Sequence, residues 1–283
     1  MSRQNTNEAK LNQLKETIGR LESVLIAFSG GVDSSLLLHI AKEVLGKNVV
    51  AATAVSDLCL SHEIREAEKT ARKLSVRHEK VAFPVLSDSD FYTNSPERCY
   101  ICKRTMFGKF RALARQEGLR YVADGTNLDD LKEFRPGIKA LEELGIVSPL
   151  REALFTKADI RAVSRKLGLA TWNKPAMACL ASRFPYGTRI TAPNLEKVRQ
   201  AEKFLRSLGF GQFRVRHHDD TARIELHPQE MEQIFSGDTR SNVVEYLKHL
   251  GYRYIVLDLE GYRTGSLNKT QQIPDDTEND IPQ

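Results

Sequence analysis

Val24-Leu25-Ile26-Ala27-Phe28 runs into Ser29-Gly30-Gly31-Val32-Asp33-Ser34-Ser35 and then into Leu36-Leu37-Leu38-His39-Ile40-Ala41-Lys42-Glu43-Val44-Leu45. The unbroken apolar run before the glycines suits a strand buried on both faces of a parallel sheet. An apolar helix follows, so the glycine pair lies in a strand-to-helix turn. Gly30 and Gly31 can take backbone angles closed to other residues and bring amide N–H groups close to a ligand. Ser29, Ser34 and Ser35 add hydroxyls, and the new helix turns its partial positive end toward the same spot. Such a nest of donors suits phosphate. The turn has neither the GxGxxG spacing of a dinucleotide loop nor the GK[ST] ending of a Walker loop.

Working outward, Leu11, Leu14, Ile18 and Leu21 keep helical spacing ahead of this strand. Residues 49–55 and 79–83 read as two more strands around a helix with Ile64, Ala67, Ala71 and Leu74 on its apolar face. Residues 86–96 read as a polar loop, and from Glu97 a helix carries Cys99, Cys102, Met106, Phe110 and Leu113. Tyr121-Val122-Ala123 is a fourth strand leading into Asp124-Gly125-Thr126-Asn127, and residues 156–167 a last helix. Strands and helices alternating at these lengths predict right-handed crossovers and a parallel α/β sheet with helices on both faces. Ligands then bind at the carboxyl ends of the strands, where the glycine turn lies.

After Trp172 the pattern changes. Residues 173–187, which include Cys179, read as a structured inter-domain loop, and functional residues concentrate on such loops. Beyond it, helices around Leu195–Leu208, 228–235 and 243–250 and strands at 213–217, 222–226 and 254–259 predict a small α+β domain. The expected organisation is an ATP-binding domain over 1–172, the loop 173–187, a substrate or oligomerisation domain over 188–269, and a disordered acidic tail over 270–283.

Ser29-Gly30-Gly31-Val32-Asp33-Ser34 resembles the pyrophosphate loop, SGGxDS, of the ATP pyrophosphatase superfamily, whose members split ATP into AMP and pyrophosphate to form an adenylate. The resemblance implies ATP on Ser29, Gly30, Gly31, Asp33, Ser34 and Ser35, with Asp33 helping to hold Mg²⁺. Asp124-Gly125-Thr126-Asn127 resembles the turn such enzymes set opposite the phosphates, which adds Gly125 and Thr126. Arg135-Pro136-Gly137 and Val147-Ser148-Pro149-Leu150 also resemble the superfamily.

Cys179, between Pro175-Ala176-Met177-Ala178 and Leu180-Ala181-Ser182-Arg183, narrows the likeness. Together with Gly261-Tyr262-Arg263-Thr264-Gly265-Ser266-Leu267-Asn268 it resembles the LarE family of ATP-dependent sulfur transferases. The resemblance implies synthesis of the nickel-pincer nucleotide of lactate racemase. A carboxylate of pyridinium-3,5-biscarboxylic acid mononucleotide is adenylated, and sulfur displaces AMP. In the sacrificial version, the cysteine matching Cys179 gives up its sulfur and becomes dehydroalanine. Cys99, Cys102 and Cys179 together also resemble the variant that holds a 4Fe-4S cluster on three thiolates. Both sulfur sources stay open on sequence. The family also implies a homo-oligomer.

A nucleotide substrate needs a phosphate clamp, and Arg183, Arg214, Arg216 and Arg263 are the candidates, because guanidinium forks bind phosphate bidentately. Arg214 and Arg216 alternate along a strand and so share a face. His217-His218-Asp219-Asp220 reads as a polar turn rather than a metal site, since neighbouring strand residues point opposite ways. Asp129-Asp130 likewise reads as a solvated turn, and Cys59 as a buried, inert thiol.

The net charge is +5 over 283 residues, and the tail from Gln271 holds four acids and no base, leaving +9 for the rest. That balance suits RNA or a phosphorylated small molecule. No long apolar run or leader is present, so a cytoplasmic protein without membrane contact is expected. Rival functions are a tRNA thiolase and an ammonia-using ligase of the NAD or GMP synthetase type. The absence of a recognisable RNA-binding module turns the reading away from nucleic acid.

Overall fold

The computed structural model describes residues 3–132, 136–175 and 178–263. It divides into two compact units, Met1–Cys179 and Leu180–Gln283, so Cys179 closes the first. Arg135, residues 264–268 of the C-terminal motif, and the acidic tail lie outside the described residues.

The first unit opens with α1 (Arg3–Gly19), followed by β1 (Val24–Ala27), α2 (Val32–Leu45), β2 (Val49–Val55), α3 (Ser61–Lys73) and β3 (Arg77–Ala82). A short α4 (Ser89–Tyr92) interrupts the expected loop before α5 (Arg98–Gln116), β4 (Tyr121–Ala123), α6 (Pro136–Glu143), α7 (Pro149–Glu152) and α8 (Lys157–Lys166). The strands form one parallel sheet in the order β3-β2-β1-β4.

Alternation along β1 explains why both faces are covered. Val24 and Ile26 join a core with Leu14, Ile18, Leu37, Ile40, Ala67 and Ile160, from α1, α2, α3 and α8. Leu25 instead joins Phe107, Phe110, Ala114 and Leu141, from α5 and α6. The strand order reverses beside β1, where β2 lies on one side and β4 on the other. The turns after β1 and β4 therefore flank the crevice where open α/β sheets take their ligands.

The second unit holds α9 (Ala192–Ser207), β5 (Phe213–His218), β6 (Thr221–Leu226), α10 (Thr239–His249) and β7 (Tyr254–Leu257). β5 and β6 are an antiparallel hairpin, and β7 joins β6 in parallel to give a small mixed sheet. Its core is Leu205, Phe210, Phe213, Val215, Ile224, Leu226, Val243 and Leu247. Asp219, at positive φ, and Asp220 make the hairpin turn, as the His-His-Asp-Asp stretch suggested.

The helix expected over residues 228–235 is a 3-10 helix, begun by Pro228 and capped by His227. One strand needed correction. β7 stops at Leu257 because Asp258 turns the chain by accepting the Glu260 amide at 2.9 Å.

Candidate functional site

The glycine turn folds on itself. The Gly31 amide donates to Ser29 Oγ at 3.3 Å, the Ser29 and Ser34 hydroxyls lie 3.2 Å apart, and the Ser34 hydroxyl donates to the Gly31 carbonyl at 3.3 Å. Gly30 takes φ +70°, and a Cβ there would come within 3.1 Å of the Ala67 methyl on α3. α2 begins with extended Gly31 and no side-chain cap, so its first amides have no side-chain acceptor. An uncapped helix start at a glycine turn is an anion site. The Ser35 hydroxyl is enclosed and has no partner among the described residues.

The turn after β4 comes directly against this loop. A Cβ on Gly125 would lie 3.2 Å from the Ser34 amide nitrogen and 3.3 Å from Asp33 Cβ, so glycine is what permits the approach. Buried Asp124 anchors the turn by accepting the Ser148 hydroxyl at 2.6 Å and the Thr126 hydroxyl. The Asn127 side-chain amide reaches Asp33 at 3.5 Å. Asp129 accepts the Lys157 amide at 2.8 Å, and Asp130 the Asn127 amide at 2.9 Å; both carboxylates act as caps.

Two lysines at the loop were not singled out from sequence. Lys157 Nζ donates to both Asp33 carboxylate oxygens, at 2.6 Å to Oδ1. Lys174 Nζ donates to the Gly30 carbonyl at 2.9 Å. A sequence signal existed for the first. Thr156 and Asp159 form a capping box, which makes Lys157 the first residue of α8. A cation at a helix N-terminus opposes the helix dipole and calls for a nearby anion.

Cys59, Cys99 and Cys179 lie near enough to Cys102 for their charges to act on it. Cys99 is exposed and Cys102 half-buried on α5, Cys179 is exposed, and Cys59 is half-buried with its thiol toward the Ala54 carbonyl at 3.4 Å. Burial pushes the Cys102 thiol up, and the charges of Cys179, Cys99 and Cys59 push it further. Among the described residues no three His, Cys, Asp or Glu side chains meet as a metal group. A four-iron cubane is held by cysteine thiolates, so Cys99, Cys102 and Cys179 are donors of the type it takes.

In the second unit the four candidate arginines differ sharply. Arg183 is buried in a fork on Glu202 at 2.8 and 2.9 Å, and Arg216 in a fork on Glu225 at 2.9 and 2.7 Å. Arg263 pairs with exposed Glu260 at 2.7 Å. Among the described residues Arg214 pairs with no carboxylate: it donates to the Phe213 carbonyl at 2.7 Å and to the Tyr262 hydroxyl at 3.4 Å, and packs on the Tyr262 ring, 4.9 Å from its centre. Burial and then the charge of Arg183 lower its pKa, against the opposing charge of Glu202.

The PP-loop domain family matches residues 3–86. The pyridinium-3,5-bisthiocarboxylic acid mononucleotide synthase of Lactiplantibacillus plantarum is 42% identical over 88% of this chain and 90% of its own length. The chain belongs to the LarE family of pyrophosphate-loop sulfur transferases. An uncharacterized protein of Synechocystis is 43% identical over 93% of the chain and 98% of its own length, so that likeness runs nearly end to end as well. A glutamine-hydrolyzing GMP synthase polypeptide of Methanothermobacter thermautotrophicus is 29% identical over 57% of the chain and 54% of its own length, a likeness confined to part of both proteins. Among the described residues of this LarE-family chain, no helix is long and apolar enough to cross a membrane.

Proposed function

We propose that this chain adenylates a carboxylate of pyridinium-3,5-biscarboxylic acid mononucleotide with ATP and converts it to a thiocarboxylate. The product would feed nickel-pincer nucleotide synthesis and lactate racemase maturation. The observation that carries the reading is the approach of the Gly125 turn to the pyrophosphate loop, with Asp33 held between Lys157 and Asn127.

In this scheme the uncapped start of α2 and the turn amides of Gly30, Gly31, Gly125 and Thr126 bind the triphosphate, with the hydroxyls of Ser29, Ser34 and Ser35 lining the loop. Asp33, now held by Lys157, would hold the Mg²⁺ of ATP, which would offset charge on the phosphates. The substrate carboxylate attacks the α-phosphorus and pyrophosphate leaves, making a poor electrophile reactive. The Cys179 thiolate attacks the acyl carbon and AMP leaves, giving a thioester. Removal of the Cys179 α-proton breaks the Cβ–S bond, so the sulfur departs with the product and dehydroalanine remains. Arg214, with no carboxylate partner among the described residues, is the first choice for the nucleotide phosphate; Arg263 follows, while Arg183 and Arg216 orient neighbouring groups.

A second sulfur source is suggested by the donor type of three thiols. A 4Fe-4S cluster on Cys99, Cys102 and Cys179 would supply a renewable sulfide when bound. A cytoplasmic homo-oligomer, with neither membrane nor RNA as partner, completes the reading.

Substrate-dependent ATP–pyrophosphate exchange tests the proposal, with thiocarboxylate as product and Cys179→Ala as control. Exchange that persists in Cys179→Ala while thiocarboxylate vanishes supports it. Amide formation from ammonia in Cys179→Ala would instead point to a ligase, and salt-sensitive competition by RNA to a thiolase.

A further inference from the structure

We infer that Arg161 and Lys174 are positioning residues for sulfur transfer, tying the segment that leads into Cys179 to the pyrophosphate loop. The inference rests on the reading above. Lys157, Arg161 and Arg165 recur every four residues along α8 and so lie on one face. Lys157 ends on Asp33. Arg161 spreads its two terminal nitrogens over the carbonyls of Trp172 and Lys174, both at 2.9 Å. Arg165 lies over the Trp172 ring, 5.0 Å from its centre. Lys174 then sends its ammonium to the Gly30 carbonyl at 2.9 Å. Residues 172–174 are thus held on one side by a helix whose first residue grips Asp33, and on the other by the ATP loop itself.

The consequence is geometric. Cys179 lies five residues beyond Lys174, so its Cα can stray at most about 17–18 Å from that of its anchor even with the chain fully extended. Among the described residues Arg161 hydrogen-bonds main-chain oxygens only, and forming the adenylate needs no thiol. Attack on the adenylate does, and misplacing a reacting group by about 1 Å can cost about a hundredfold. Loosening the anchor should therefore separate the two half-reactions.

Arg161→Gln is the first variant, with Arg161→Lys and the pair Lys174→Gln and Lys174→Arg beside it. Substrate-dependent ATP–pyrophosphate exchange should stay within about twofold in Arg161→Gln, while single-turnover thiocarboxylate formation falls about a hundredfold. Lys174→Gln should lower transfer more than exchange, and Lys174→Arg should restore most of the difference. An equal fall in both half-reactions, or none in transfer, overturns the inference.

Hydrogen exchange gives a readout that needs no substrate. The Trp172 and Lys174 amides donate to Leu169 and Thr171 at 3.1 and 3.0 Å. Their exchange should quicken in Arg161→Gln at an unchanged melting temperature; unchanged protection also overturns the tether. If the parent protein shows no substrate-dependent exchange of pyrophosphate, the functional reading fails instead, while the tether is still judged by its amides.

Discussion

Asp33 and Lys157 in the first unit, and Arg183 and Glu202 in the second, are both carboxylate–cation pairs, yet they are built for opposite ends. The first is wet: its side chains are 23% and 37% exposed. The second is sealed, at 5% and 6%, and the Arg216–Glu225 pair is equally dry at 7% and 1%. An exposed pair is worth about 0–1 kcal/mol, so an arriving ion can part it cheaply. A buried pair costs about 3–5 kcal/mol when one partner is removed, because the other is stranded. Burial, more than residue type, separates the charge that must change partners from the charge that holds a scaffold.

That contrast can be broken experimentally. Glu202→Ala takes the buried carboxylate from Arg183 and the acceptor from the Val215 amide, bonded at 3.2 Å. Urea unfolding should show a loss of about 3–5 kcal/mol in the second unit; a loss below about 1 kcal/mol would mean the sealed pair is no scaffold.

Asp33→Ala should do the reverse. AMP formation should fall about 10²–10³-fold through lost charge stabilisation, while stability moves by less than about 1 kcal/mol. A large loss of stability would place Asp33 with the structural pairs.

Gly30→Ala probes the loop backbone. A left-handed alanine costs about 1–2 kcal/mol, and its methyl must also displace Ala67. Weaker ATP binding with a lowered melting temperature is expected, and an unchanged protein would show that the loop does not need this conformation.

The smallest effect is one of pH. Burial holds His217 below its ordinary pKa of 6.5, aided by Lys197, and its Nδ1 faces the Tyr252 hydroxyl at 3.1 Å. A histidine kept neutral in the folded state contributes stability that is present above pH 6.5 and lost as pH falls through its folded pKa. The melting temperature should decline with acidity on that side, and less steeply in His217→Gln. Some slope should persist, because burial lowers His218 and His78 too. An identical slope in the variant would remove His217 from the account.

Much of the first unit was legible because its strands are buried on both faces and so read as unbroken apolar runs; β2 and β4 span the predicted residues. The glycine turn was legible for the same local reason. What escaped depended on pairs distant in the chain. Lys157 meets Asp33 across 124 residues, and Lys174 meets Gly30 across 144. Glu202 sits on the buried face of α9 with Leu195, Val198 and Leu205, a charge at a core position that should have announced a buried partner for an arginine. Arg214 and Arg216 do share a face of β5, but the strand pattern says nothing of which one a carboxylate already occupies.

The most direct test is mass spectrometry of the metal-free chain and of its product after stoichiometric incubation with ATP, Mg²⁺ and the pyridinium biscarboxylate mononucleotide. The account predicts thiocarboxylate together with a polypeptide lighter by one sulfur and two hydrogens, the change lying at Cys179. Thiocarboxylate formed in full by a metal-free chain of unaltered mass would contradict it.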